Sequence, residues 1–75
     1  MELAILVGNI IRDRRTAVGA SQDRLAQECG LDRSYMGRIE RGEVNVTIAT
    51  LYRIARALHC SAHDLLPKNE IDEIG

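Results

Sequence analysis

The fold of this chain is decided by residues 21–42, which read SQDRLAQECGLDRSYMGRIERG. Ser21 and Asp32 have side chains that accept hydrogen bonds from the free amides of a helix start, so each predicts an N-cap. Gly30 and Gly42 each follow a short helical pattern and predict the turn residue that ends a helix. The stretch therefore predicts two short helices joined by a tight turn, as in a helix-turn-helix.

On either side of this stretch, apolar residues recur at helical spacing, and no run alternates with the period of two that marks a strand. The chain is predicted to be all-α, a compact bundle of five helices. The predicted helices cover residues 3–18, 22–28, 33–40, 48–58 and 61–66. The inward stripes are Leu3, Val7, Ile10, Ile11 and Val18 in the first helix and Ile48, Leu51, Ile54, Ala55 and Leu58 in the fourth.

Length and charge indicate one small domain. The chain has 75 residues and a net charge of −1. Residues 1–67 carry nine basic and eight acidic side chains and are predicted to form the domain, whereas residues 68–75 carry one basic and three acidic side chains and form an acidic tail. A core of this size disfavours an enzyme with an enclosed cleft, and so does the lack of a nucleophile with a recognisable oxyanion hole.

The sequence contains no apolar run long enough to span a membrane and no signal-peptide pattern at its start. A cytoplasmic location without membrane contact is therefore expected. Cys29 and Cys60 allow at most one bridge, and we expect both to be reduced. Cys60 and His63, with His59 and Cys29, could suggest a zinc site, but they lack the paired spacing of such sites, so no metal is expected.

The third predicted helix has two chemically different faces. At about 100° per residue, Met36 and Ile39 fall on one side. The opposite side carries Arg33, Ser34, Gly37, Arg38 and Arg41. The forked donors of arginine match the O6 and N7 acceptors of guanine in the major groove, although a charged helix face is more often merely solvated. A glycine inside a helix costs about 1 kcal/mol relative to alanine, and close approach to a groove wall would compensate it.

The ordered motifs resemble the phage repressor and Cro-like family of helix-turn-helix proteins, also called the Xre family. The resemblance rests on SQDRLA at residues 21–26 and GLDRSYMGRIERG at residues 30–42, and it extends roughly over residues 3–66. It implies a λ-repressor-like fold and binding to double-stranded DNA. Within the family, the Leu-Asp-Arg-Ser-Tyr and Ile-Glu-Arg-Gly stretches are most similar to controller proteins of restriction-modification systems. His59 stands where the family usually has glycine, so a left-handed backbone is expected there, and Val46 stands where proline is common.

The resemblance also implies a role for each matching position. Base edges would face Arg33, Ser34, Gly37 and Arg38, and the DNA backbone would face Gln22, Tyr35, Arg41, Asn45 and Thr47. Arg15 and Glu40 would form a structural ion pair that ties the first helix to the end of the recognition helix.

One recognition helix reads about half a site, so a homodimer on palindromic DNA is expected. Its interface is predicted in the C-terminal third, from Tyr52, Leu65, Leu66, Ile71 and Ile74, with Leu65 mostly in the core and Leu66 shared with the partner. RNA polymerase is a further candidate partner, and no small-molecule effector is expected in so small a domain. The alternative is a protein-interaction module, such as an antitoxin-like partner, whose binding would not weaken steeply with salt.

Overall fold

Side-chain caps set the starts of three helices. In the computed structural model, which describes residues 2–68, the side chains of Ser21, Asp32 and Thr47 accept hydrogen bonds from nearby amides at 3.0 to 3.1 Å. These bonds satisfy amides that have no partner within the helix. The α-helices are α1 (Leu3–Ala17), α2 (Gln22–Cys29), α3 (Arg33–Glu40) and α4 (Ile48–Ala57). Their bounds agree with the predicted ones to within one residue.

The predicted fifth helix is instead a single 3₁₀ turn, Ala62–Leu65. Ser61 and Asp64 form a capping box at its start, and Leu66 has extended backbone because the following residue is Pro67. The cap and the proline leave room for one turn only. Within residues 2–68 the fold is therefore four α-helices and a 3₁₀ turn, without a strand, which corrects the expected count of five α-helices.

The core lies between the inward faces of these elements. Its largest fully buried side chains are Ile11, Leu25, Met36, Ile39, Ile54 and Leu65. Leu3, Val18 and Ile48 were assigned to inward stripes, and all three are exposed. Leu3 and Ile48 are the first residues of their helices and Val18 follows the last residue of α1, so their side chains project past the core. The helical period identified the correct faces and did not reveal where the core ends.

Helix α1 packs against the end of α3 closely enough to require glycine at two positions. A Cβ on Gly8 would overlap the carbonyl oxygen of Ile39 and lie 2.7 Å from that of Glu40. A Cβ on Gly42 would lie 2.6 Å from the Cα of Ile5. Because backbone atoms meet backbone atoms here, neither side can move aside without shifting a helix. This packing fixes the position of α3 relative to α1.

The turn between α2 and α3 is fixed by its own backbone geometry and by a hydrogen bond from α4. Gly30 has a left-handed backbone with φ 68°, as predicted for the end of α2. Arg53 of α4 donates a hydrogen bond from Nη2 to the carbonyl of Cys29 at 2.6 Å, so α4 satisfies the last turn of α2. His59, after α4, has φ 58°, which confirms the left-handed geometry expected there.

Candidate nucleic-acid interface

Helix α3 turns its apolar side to the core and its polar side to solvent. Met36 and Ile39 are buried, while Arg33, Ser34 and Arg38 are exposed. The exposed side lines a shallow depression of about 440 Å³. We call this surface the arginine face; it consists of Gln22, Arg33, Ser34, Gly37, Arg38, Arg41 and Glu43.

Gly37 lies on the arginine face, where it was predicted to contact base edges, and two neighbouring side chains enclose it. It is buried because the side chains of Gln22 and Arg41 lie over it. An added Cβ would lie 3.1 Å from Arg41 Nη1 and 3.4 Å from Gln22 Oε1. The missing side chain therefore makes room for the chain's own polar groups on this face.

The arginines of this face have carboxylate partners. Arg41 Nε donates to Glu43 Oε2 at 2.7 Å, and Arg38 Nε lies 3.8 Å from Glu43 Oε1. Arg33 Nε lies 3.9 Å from Asp23 Oδ1. The hydrogen bond from Arg41 lowers the pKa of Glu43, so Glu43 is ionised at neutral pH. Neither acid was assigned a role from the sequence, although Glu43 follows Gly42 directly and the charge order alone could have identified it.

Glu40 lies under the arginine face at the centre of a hydrogen-bond network. Its side chain is 2% exposed and that of Arg15 is 13% exposed. Arg15 donates from Nε and Nη2 to the two carboxylate oxygens at 2.7 and 3.0 Å, and from Nη1 to the carbonyl of Ala20 at 2.9 Å. The hydrogen bond to Glu40 is the main reason that the pKa of Arg15 is raised. Arg15 therefore ties α1 to the last residue of α3.

Gln22 is a third member of this network, which the sequence did not indicate. Its Nε2 donates to Glu40 Oε1 at 3.0 Å. A side-chain amide has two N–H groups, so one remains for a further acceptor such as a phosphate. The carboxylate of Glu40 thus fixes which end of the Gln22 amide faces inward.

The remaining predicted DNA contacts lie beside α3 and at the start of α4. Tyr35 is half-buried and packs against the core, and Asn45 is exposed in the loop before α4. The hydroxyl of Thr47 accepts from the amide of Thr50 at 3.1 Å and lies 3.0 Å from the hydroxyl of Thr50. Thr47 is therefore already engaged as the cap of α4.

The residues predicted for a dimer interface separate into three groups. Leu65 is fully buried in the domain's own core, where it was expected to lie for the most part, and it offers no surface to a partner in the folded domain. Leu66 and Tyr52 are 41% and 63% exposed. Ile71 and Ile74 lie outside the described residues.

An apolar cleft of about 310 Å³ opens beside Leu66. Its lining is Leu3, Ala4, Val7, Ile39, Val44, Asn45, Val46, Ile48, Leu51 and Leu66. Ile48, which the sequence pattern placed in the core, is 75% exposed at the mouth of this cleft. Asn45 also lines it, so the cleft adjoins the loop that precedes α4.

The sulfur and imidazole groups do not form a ligand cluster in the described part of the chain. Within residues 2–68 no three His, Cys, Asp or Glu side chains are placed to hold a metal ion. Cys29 is a buried thiol and Cys60 a half-buried one, and burial raises the pKa of both. Over the same residues, no helix has the length and apolar character needed to cross a bilayer.

These features define a class of protein. An exposed, arginine-bearing helix that follows another helix after a glycine turn, and that α1 fixes from behind, is the arrangement of helix-turn-helix domains, in which the second helix enters the major groove. The profile of the helix-turn-helix family matches residues 11–65. The chain belongs to this family.

Several members with solved structures or curated names are similar over most of the chain. Control protein C.SmaI from Serratia marcescens is 38% identical over 68 residues, which cover 91% of this chain and 81% of that protein. Control protein C.BamHI from Bacillus amyloliquefaciens is 38% identical over 65 residues, covering 85% and 80%. The crystal structure of the restriction-modification controller protein C.AhdI from Aeromonas hydrophila superimposes with a TM-score of 0.82 at 41% identity, covering 84% of this chain and 96% of that one.

Proposed function

We propose that this protein is a sequence-specific, DNA-binding transcriptional regulator that inserts α3 into the major groove. The observation that carries the proposal is the arginine face, which stands on a helix fixed from behind by α1. Similarity to control proteins over most of the chain length supports it. A regulator of this kind has to reach the cell's DNA, so we also propose a cytoplasmic location.

Arg33, Ser34 and Arg38 are the proposed base-reading side chains, because they are exposed and are not needed to fill the core. Backbone contacts come from Arg41, Tyr35, Asn45 and Thr47. Gln22 adds its remaining amide N–H, together with the free backbone amides at the start of α2. Gly37 contributes by leaving space for Gln22 and Arg41.

A competition experiment on randomised duplexes tests these assignments. Replacing Arg33 or Arg38 with alanine should cost about 1 to 3 kcal/mol on the preferred sequence and relax the preference at one or two base pairs. Arg12→Ala is a matched control, since Arg12 is exposed on α1 and lies outside the arginine face. An unchanged preferred sequence in both Arg33→Ala and Arg38→Ala would show that α3 does not read bases.

We further propose that the working unit is a homodimer joined beside the apolar cleft. Leu66, Ile48 and Leu3 expose apolar surface there, and Tyr52 lies on the exposed side of α4. Burying such surface favours association, and two copies could read two half-sites of a palindrome.

Sedimentation tests this interface: Leu66→Asp should be monomeric at concentrations at which the unchanged protein is a dimer. Val18→Asp is the control because Val18 is exposed and lies outside the cleft, and equal dimerisation of all three proteins would exclude this surface.

The similarity to control proteins suggests the regulatory setting. A controller of a restriction-modification system would bind its own operator and either recruit or block RNA polymerase, and its concentration rather than a small ligand would set the response. Genes for an endonuclease and a methyltransferase next to this one would support that role.

A protein-interaction module is the competing function, and it predicts little weakening of binding between 50 and 200 mM salt. Six phosphate contacts with DNA would instead weaken binding about a thousandfold over that range.

A further inference from the structure

The arginine face is not an open cationic surface. Glu43 lies between Arg38 and Arg41, and its two carboxylate oxygens are within 3.8 Å and 2.7 Å of their Nε atoms. A phosphate that approached either arginine would lie beside a carboxylate, which is hydrogen-bonded to Arg41 and ion-paired with Arg38. A phosphate at Arg41 has to displace Glu43 from Nε or bind the remaining N–H groups next to a second negative charge.

The backbone holds Glu43 in this position. The amide of Glu43 donates to the carbonyl of Arg38 at 2.9 Å and that of Gly42 to the carbonyl of Ile39 at 3.0 Å, which is the Schellman arrangement of a helix end. Gly42 has φ 74° and packs against the backbone of Ile5. The Cα of Glu43 is therefore fixed beside α3, and its carboxylate does not depend on a mobile loop to stay near the arginines.

The two kinds of DNA acceptor differ in what they offer to an arginine with a carboxylate beside it. A phosphate presents acceptors only, so it can satisfy the arginine but leaves Glu43 unpaired next to another negative charge. A G·C base pair presents the O6 and N7 acceptors of guanine and, on the same edge, the N4 amino group of cytosine, which donates to carboxylates. An arginine and a glutamate side by side match that donor and acceptor pattern.

On the basis of the proposed DNA-binding function, we propose that Glu43 is a specificity-determining residue: its negative charge beside Arg38 and Arg41 disfavours phosphates there, and its carboxylate accepts from a cytosine amino group at the preferred site. Glu43 thereby weakens binding to DNA in general more than binding to the preferred sequence. The lowered pKa of Glu43 is consistent with this role, because the carboxylate stays ionised throughout the neutral range.

The test compares Glu43→Gln with Glu28→Gln. Glu28 is an exposed residue of α2 that pairs with Arg24 at 3.8 Å and lies outside the arginine face, so its substitution removes the same charge elsewhere. Binding of each protein is measured by fluorescence anisotropy between 50 and 200 mM salt. The probes are the duplex that the unchanged protein selects from a random pool and a duplex of equal length without that sequence.

Glu43→Gln is expected to tighten binding to the second duplex about tenfold and to steepen its salt dependence by about one phosphate contact, a slope change of about 0.9. Affinity for the selected duplex should change by less than about threefold, since the gain in charge is offset by the weaker acceptor offered to cytosine. Glu28→Gln should change both duplexes by the same small factor. Glutamine at position 43 keeps the backbone hydrogen bond to Arg38, so folding is preserved, and circular dichroism verifies it.

Two results would overturn the inference. One is that Glu43→Gln leaves the ratio of the affinities for the two duplexes unchanged. The other is that Glu28→Gln tightens binding to each duplex as much as Glu43→Gln does. Either leaves the proposed function intact, provided that the unchanged protein prefers its selected sequence. An unchanged protein that selects no sequence at all would refute the proposed function, and this inference with it.

Discussion

Replacing Arg15 with methionine should destabilise the domain far more than an exposed arginine would. The carboxylate of Glu40 accepts two hydrogen bonds from Arg15 and one from Gln22, and only 2% of its side chain is exposed. Of these three hydrogen bonds, Arg15→Met removes two and leaves the one from Gln22. Removing one partner of a buried ion pair costs about 3 to 5 kcal/mol, and the lower value applies because Arg15 itself reaches solvent.

A loss of about 3 kcal/mol is large for a chain of this length, whose free energy of unfolding is expected to be about 4 to 11 kcal/mol. At about 4 to 8 °C per kcal/mol for a small domain, Tm should fall by roughly 12 to 24 °C. Glu40→Met removes the buried carboxylate and leaves the guanidinium of Arg15 without its partner. Because this guanidinium can turn to solvent, Glu40→Met should lower the free energy of unfolding by less than Arg15→Met does. The double variant Arg15→Met with Glu40→Met replaces the pair by apolar groups of similar size and should lie within about 2 kcal/mol of the unchanged protein.

A double-mutant cycle in thermal unfolding, with circular dichroism as the signal, measures the coupling between the two residues. We expect a coupling of at least about 2 kcal/mol. Arg12→Met is the control for loss of an arginine from α1, because Arg12 is exposed. Additive effects of the two substitutions would mean that Arg15 and Glu40 do not hold α1 and α3 together.

Three further predictions concern the glycines and the acidic cap of α3. Gly8→Ala should lower the free energy of unfolding by about 1 to 3 kcal/mol in urea titration, because its Cβ would meet the backbone of Ile39, and an unchanged midpoint would contradict that packing. Gly37→Ala should instead raise that free energy by up to about 1 kcal/mol, because alanine favours a helix more than glycine and the side chain of Arg41 can move aside. The same substitution should weaken DNA binding, since Arg41 then leaves its place on the arginine face. A destabilised Gly37→Ala would show that the side chains over Gly37 are rigid. Hydrogen bonding to Ser34 lowers the pKa of Asp32 below its unfolded value of about 3.9, so its stabilising effect is complete above that value and is lost as the pH falls through the lower folded pKa. The urea midpoint should therefore differ less between pH 7 and pH 3 in Asp32→Asn than in the unchanged protein. Equal losses of stability in the two proteins would show that the charge of Asp32 does not stabilise the start of α3.

The sequence was most informative where short-range chemistry decides the structure. Ser21 and Asp32 cap helices because their side chains reach amides two or three residues away, and Gly30 and His59 end helices because local backbone geometry demands it. These contacts lie within a few residues along the chain, so the residue types alone indicate them.

Long-range packing was the part that the sequence could not supply. The closeness of Gly8 to Glu40 and the approach of Gln22 to the same residue join segments that are 32 and 18 positions apart. Ile48 fits the apolar period of α4, yet the neighbouring elements do not extend far enough to cover it. Gly37 was placed correctly on the outer side of α3, but the side chains that cover it come from α2 and from beyond the end of α3.

The separation of buried and exposed positions along α3 has a consequence for how such regulators diverge. Met36, Ile39 and Glu40 are enclosed by the rest of the domain, whereas Arg33, Ser34 and Arg38 stand outside it. Substitutions at the three outer positions leave the core and the buried carboxylate untouched. With base reading at these positions, as proposed, the preferred DNA sequence can change without compensating substitutions in the core. The same assignment implies that two descendants differing only at these positions bind different operators and can act independently in one cell.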